Sequence, residues 1–202
     1  MTTIFDIAGR NGTRERLLAA GEALIGRHGF ESVSLEEIAR HAGQANKYAV
    51  QYHFAGRSGL AQAILDLRIG EIERRRGDAL PTVDHADPRT ILTAFLHPIA
   101  EQVQDDGQCT FALFLLRFAT QVPALADVVH PLVASEGATK ALFRLLCATM
   151  PHLPVEVLGR RLSLMMNLPL TVFATGPNAS NRASLAELVD MIVAALAVPH
   201  AA

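Results

Sequence analysis

The chain has 202 residues, half of them hydrophobic, enough to bury a full core as one domain or two small ones. It lacks Trp and is poor in aromatics, and its abundance of Leu and Ala favours helix over strand. The net charge of −2 gives no sign of the strongly basic character of many nucleic-acid-binding domains, and the basic lean at the N-terminal end is slight, with seven Lys/Arg against five Asp/Glu from Arg10 to Arg57. The N-terminus lacks a basic region followed by an apolar run. The most apolar long segment, Leu162 to Ala174, contains Asn167 and Pro169 and is too short to span a bilayer. A soluble, cytoplasmic protein without membrane contact is expected. Cys109 and Cys147 are the only cysteines, in no metal-ligand spacing, and read as small buried thiols.

In chain order, residues 1–12 carry Gly9, Asn11 and Gly12 and read as a flexible arm. Thr13 can cap a first helix bearing Leu17, Leu18, Leu24 and Ile25 at helical spacing, with Gly29 at its end and Phe30 returning to the core. Ser34 and Glu37 form a Ser-x-x-Glu capping box, with Val33 and Ile38 at the two staple positions. The short helix they open, Leu35 to Ala42, is stopped by Gly43. After a turn at Gln44-Ala45, Asn46 can cap a further helix running to Phe54. Helix, glycine-bearing turn, helix is the helix-turn-helix arrangement.

In that second helix Val50 and Phe54 form an apolar stripe that would hold it down. Lys47, Tyr48, Gln51, Tyr52 and in part His53 would face outward: a cation, an amide and phenols, which suit phosphate oxygens and base edges. Ala55-Gly56-Arg57 breaks the helix, and Ser58 can cap a long one with an apolar stripe at Leu60, Ile64, Leu67 and Ile72. It is expected to end near Arg74-Arg75-Arg76-Gly77, the Arg run being structural or solvated.

The polar stretch Pro81 to Pro88 is the best domain boundary. Apolar helical segments follow at about 89–105, 109–121, 131–149, 154–175 and 184–197. Turns are expected at Asp105-Gly107, around Pro123 and Pro131, at Pro151–Pro154 and at Gly176-Pro177-Asn178, with a second capping box at Ser184–Glu187. Pro98 and Pro169 should kink the helices that hold them. No strand alternation and no repeat is found.

Laid out in this way, residues 13 to about 72 resemble the DNA-binding domain of a TetR-family (tetracycline-repressor-like) transcriptional regulator. The resemblance rests on an ordered set: His28-Gly29-Phe30, Val33-Ser34-Leu35-Glu36-Glu37-Ile38-Ala39, Ala42-Gly43, Tyr52-His53-Phe54, then Arg57 and Leu60. Two departures stand out. Gln44-Ala45-Asn46 adds one residue between the turn glycine and the His-Phe pair, and Arg57 takes the place of the family's usual Lys.

The resemblance implies an all-α chain in which a three-helix helix-turn-helix domain, 13–80, is followed by a helical effector-binding and dimerisation domain, 81–202. It also implies double-stranded operator DNA as a partner, an unidentified small-molecule effector, and homodimerisation through the last two helices, 154–175 and 184–197. The expected DNA-contacting set is Ser34, Gln44, Asn46, Lys47, Tyr48, Gln51, Tyr52, His53 and Arg57. Asn46 and Ser34 have capping as their plainer role.

In the second domain Phe95, Phe111, Phe114, Phe118, Phe143, Met165, Met166 and Phe173 are candidates to line an apolar effector pocket, although such residues are core in most helical bundles. Arg117, set in an apolar run, must find an anion or a carboxylate. His97, His130 and His152 do not make a metal spacing, and no cofactor or metal is expected. An enzyme has little support: the chain holds no phosphate loop, GxSxG, HExxH or dinucleotide glycine pattern. The remaining alternatives are a redox-responsive regulator acting through Cys109 or Cys147, and a helical interaction module without DNA binding.

Overall fold

The protein is described by a computed structural model over residues 12–102, 109–120, 137–175 and 178–199. The expected arm (all but Gly12), the Asp105-Gly107 turn and the turn around Pro123 and Pro131 lie outside the described residues. Among the described residues the chain is all-helical: α1 Thr13–His28, α2 Leu35–His41, α3 Ala49–Phe54, α4 Arg57–Ala79, α5 Pro88–Ala100, α6 Thr110–Thr120, α7 Ala138–Thr149, α8 Val155–Met165, α9 Asn167–Thr175 and α10 Asn178–Leu196. None of these is long and apolar enough to cross a membrane.

Local chemistry sets many of the boundaries. Ser34 Oγ accepts the Glu37 N–H at 3.1 Å, so the capping box opens α2 as its spacing predicts. The same helix closes by a paired turn. Gly43, at φ +69°, donates its N–H to the Arg40 carbonyl at 3.0 Å, and Gln44 donates to Ala39 at 2.9 Å. Asp87 takes the Arg89 N–H at 2.9 Å, with Pro88 at the first position of α5.

Elsewhere tertiary packing overrides the local signal. Helix α4 does not stop at Gly77 but runs to Ala79 and then into a short 3-10 turn, Leu80–Thr82. The end of α4 is held by its docking on α5 and α7, which outweighs the roughly 1 kcal/mol that a helical glycine costs. Arg76 is buried and donates to the Phe95 carbonyl from Nε at 3.0 Å and from Nη2 at 2.6 Å, with its guanidinium 4.1 Å from the Phe95 ring centroid. Arg74 pairs with Glu71 and Asp78, and Arg75 with Glu71 and Glu101, so the Arg run is structural. The expected single helix 154–175 is two, broken at Met166. Helix α10 begins at Asn178, so Ser184 sits inside it rather than capping it; nothing between Asn178 and Ser184 breaks a helix.

The described apolar side chains form one continuous core. Helix α1 packs on α2, α4 and α6, while α5 packs on α4, α7 and α10. Within this core sits a charged knot. Arg68 on α4 grips Glu22 on α1 through Nε–Oε2 at 2.6 Å and Nη2–Oε1 at 2.9 Å, with both side chains buried. Thr110, the first residue of α6, donates its hydroxyl to Glu22 Oε1. Three helices are therefore tied by one carboxylate whose oxygens are both used.

The junction of α3 and α4 is equally tight. A Cβ on Gly59 would stand 1.7 Å from the Phe54 carbonyl oxygen, and backbone cannot swing aside as a side-chain tip can. Gly59→Ala is expected to destabilise the protein by about 1–3 kcal/mol through forced separation of the two helices. A urea midpoint equal to that of the parent protein would show that the junction yields without cost.

Candidate nucleic-acid interface

The buried underside of α3 is Ala49, Val50 and Phe54, which seat it against α4. Its other side is open: Tyr48 is 63% and Tyr52 83% exposed, and Gln51, Lys47 and Asn46 are exposed beside them. Large aromatics left this bare on an otherwise buried small unit mark a contact surface.

The helix is shorter than its pattern suggests. It spans six residues, and Tyr48 holds the N-cap position. Asn46 is used locally, its Oδ1 accepting the Tyr48 N–H at 2.9 Å, while its carbonyl accepts the Ala49 N–H at 3.1 Å. The residue added after Gly43 is thus taken up in a turn from Gln44 to Tyr48. Lys47 and Tyr48 stand in that turn rather than on the helix, because the asparagine amide satisfies the turn before regular hydrogen bonding starts.

Lys47 Nζ lies 3.2 Å from Glu36 Oε1 of α2 and 5.1 Å from the Tyr48 ring centroid. The Glu36 hydrogen bond and charge raise its pKa above the ordinary lysine value, so it is a full cation. Both partners of this pair are exposed, and such pairs contribute little, so Lys47 can exchange Glu36 for a phosphate at small cost. Ser34 is exposed at the head of α2, with its hydroxyl spent on the cap. Gln44 is half-buried and donates to the Ala42 carbonyl at 3.2 Å. His53 is half-buried, edge-on to Tyr52 with ring centroids 5.1 Å apart. Arg57 opens α4, and its Nη1 donates to the Phe30 carbonyl, so its first role is to hold the entry of α4 against the chain after α1. Ser58 does not cap α4; Gly56 occupies that position.

One residue is not visible to sequence reasoning. Arg14, exposed on α1, lies 5.1 Å from the Phe54 ring centroid and adds a cation at the edge of this face. The two residues are forty apart in sequence, and no spacing rule joins them.

The expected effector-lining residues have separate partners. Phe111, Phe114 and Phe118 form a stack along α6, and Phe30 meets Phe114 at 5.4 Å and Phe118 at 6.5 Å. These rings glue the N-terminal helices to α6. Phe95 lies under Arg76, and the tip of Phe143 lies 3.7 Å from where a Gly159 Cβ would stand. Phe173 is buried on α9, while Met165 and Met166 are half-buried at the α8–α9 break. Arg117 is exposed and reaches the Gly26 and Arg27 carbonyls at 3.4 Å each. The C-terminal carbonyls of α1 thus supply partners that its apolar surroundings in sequence could not name.

The thiols do not suit redox sensing. Cys109 is fully buried, and burial pushes its pKa up to about 12; Cys147 is also raised, by partial burial. Thiolate is the reactive form, so both groups are expected to react slowly with iodoacetamide at neutral pH, with Cys109 the slower. Rapid alkylation of Cys109 in the folded protein would contradict this. Among the described residues no group of three His, Cys, Asp or Glu is placed to hold a metal.

Residues 17–64 match the family described as bacterial regulatory proteins, tetR family. No curated protein matches the chain. The fold is similar to that of the ketosteroid transcriptional regulator KstR2 of Mycobacterium tuberculosis, at 15% identity and TM-score 0.62 over 90% of this chain and 95% of that one. It is also similar to PfmR, a TetR-family transcriptional regulator from Thermus thermophilus, at 21% identity and TM-score 0.56 over 87% of this chain and 97% of that one. The matched residues cover the turn and exposed helix described above, and the all-helical fold is similar to that of these regulators over most of the chain.

Proposed function

We propose that the protein represses transcription as a homodimer on a near-palindromic operator and is released by an apolar small molecule. In this reading residues 13–80 form the DNA-binding unit and 81–202 the effector and dimerisation unit. The observation that carries it is the α3 face: Tyr48, Gln51 and Tyr52 exposed over a buried Val50–Phe54 anchor, with Lys47 and Arg14 supplying charge at its edges. An α-helix presented in this way fits the major groove, where amides and cations read base edges and phosphates.

Exposed apolar side chains on α8 to α10 support the dimer. Leu164 is 62% exposed, and Leu168 and Met191 are also exposed. Two such faces brought together would bury them isologously. Gln102 supports an effector. Its side chain is fully buried at the end of α5, and neither amide atom has a hydrogen-bond partner among the described residues. A buried amide left unpaired is costly, and a ligand polar group would satisfy it.

The reading is tested by selecting bound fragments from a genomic DNA pool and titrating the enriched site in increasing salt. An inverted repeat should be enriched, with one dimer bound per site in sedimentation. Affinity should fall about 10³–10⁵-fold between 50 and 200 mM salt if six to ten phosphates are neutralised. Failure to enrich any sequence, or binding indifferent to salt, would refute it.

A further inference from the structure

The face that carries α3 holds a carboxylate as well as cations. Glu36, the second residue of α2, has a 62% exposed side chain, and its Oε1 lies 3.2 Å from Lys47 Nζ. The same ammonium lies 5.1 Å from the Tyr48 ring centroid, so Glu36 borders the exposed aromatic face rather than lying behind it. A negative group on a surface that meets phosphates opposes binding to every sequence.

Two structural roles are open to Glu36, and both are slight. It stands at the positive N-terminal end of α2, but Glu37 shares that first turn. It pairs with Lys47, but both side chains are exposed and such pairs contribute little.

We propose that Glu36 is a specificity-determining residue that reads cytosine in the operator. The inference rests on the DNA-binding reading above. When a phosphate draws Lys47 away, Glu36 loses its cation and keeps two oxygens that only accept hydrogen bonds. In the major groove cytosine offers an amino donor and no acceptor of its own. The adenine amino group stands beside the N7 acceptor, and guanine and thymine offer acceptors alone. The carboxylate is therefore paired at cytosine and left against lone pairs or phosphates elsewhere. Lys47 supplies an attraction common to all sequences, and Glu36 makes that attraction depend on the base beside it. A short local contact between the head of α2 and the turn before α3 thus couples affinity to sequence.

The test uses the full-length protein and the site enriched from genomic DNA. Each base pair of the half-site is changed in turn, symmetrically in both halves, and a scrambled duplex of equal length is titrated beside it at fixed salt. In the parent protein, replacing one particular C·G pair should weaken binding about tenfold or more. Glu36→Ala should cut the penalty at that pair below about threefold and leave the other positions as they were. It should also tighten binding to the scrambled duplex by about threefold or more, because a like charge has gone. Glu36→Gln, which keeps an acceptor without the charge, should tighten scrambled binding equally yet retain part of the cytosine preference. Both variants should melt within about 3 °C of the parent. A base-pair profile unchanged in folded Glu36→Ala would overturn the role of Glu36 and leave the operator reading standing. A lowered Tm with that profile intact would overturn it too, by confining Glu36 to the support of α2. Failure to enrich any site would overturn both readings.

Discussion

Replacing Arg68 by Ala is expected to cost about 3–5 kcal/mol of stability, because it strands the Glu22 carboxylate in the core with only the Thr110 hydroxyl as partner. For a chain of this length that corresponds to a fall in Tm of roughly 6–20 °C. Glu22→Ala should cost a similar amount by stranding the Arg68 guanidinium. Replacing both by Leu should cost much less than either single change, since the Coulombic attraction of a buried pair largely repays its own desolvation and little more. The measurement is urea unfolding of the two single variants and the double variant. Single variants within about 1 kcal/mol of the parent would mean that water reaches the pair and the core is not closed there. The knot joins α1, α4 and α6, so its loss should also loosen the seam between the N-terminal helices and α6, where Phe30 meets Phe114 and Phe118.

The second large effect concerns DNA. Lys47→Ala combined with Gln51→Ala is expected to lower operator affinity by about 100-fold or more, since each lost base or phosphate contact is worth on the order of 1–3 kcal/mol. Stability should change by no more than about 0.5 kcal/mol, because both side chains are exposed and neither supports the core. The surface pair from Lys47 to Glu36 contributes too little to alter that. The two substitutions separate by their signature. Loss of Lys47 alone should weaken binding to all sequences and flatten the salt dependence, whereas loss of Gln51 alone should relax preference at one base position. A double variant that stays folded and keeps its operator affinity in a shift assay would remove this face from DNA recognition.

The N-terminal helices are largely legible in the sequence because their signals are local. Ser34, Val33, Glu37, Ile38 and Gly43 act within a few residues of one another, and the chemistry of a cap or a turn does not depend on distant partners. The front of α3 is less legible. Asn46 reads as the cap of a helix beginning at once, yet its amide closes a turn and regular hydrogen bonding starts at Ala49. The C-terminal half carries fewer such signals. Apolar content alone locates its helices, so Ser184 reads as a boundary where there is none, while the break at Met166 falls three residues before Pro169, where the sequence gives a kink rather than two helices.

What the sequence by itself determined was the all-helical class, the helix-turn-helix and the division of α3 into a buried stripe and an open face. Each follows from periodicity and capping, which are properties of neighbouring residues. What only the tertiary structure decided was partnership across long separations. Glu22 with Arg68 and Thr110, Arg76 on the Phe95 carbonyl, Arg117 on the end of α1 and Arg14 over Phe54 are all set by which helices pack together. A charged side chain announces that it needs a partner once buried, but packing geometry alone selects which one.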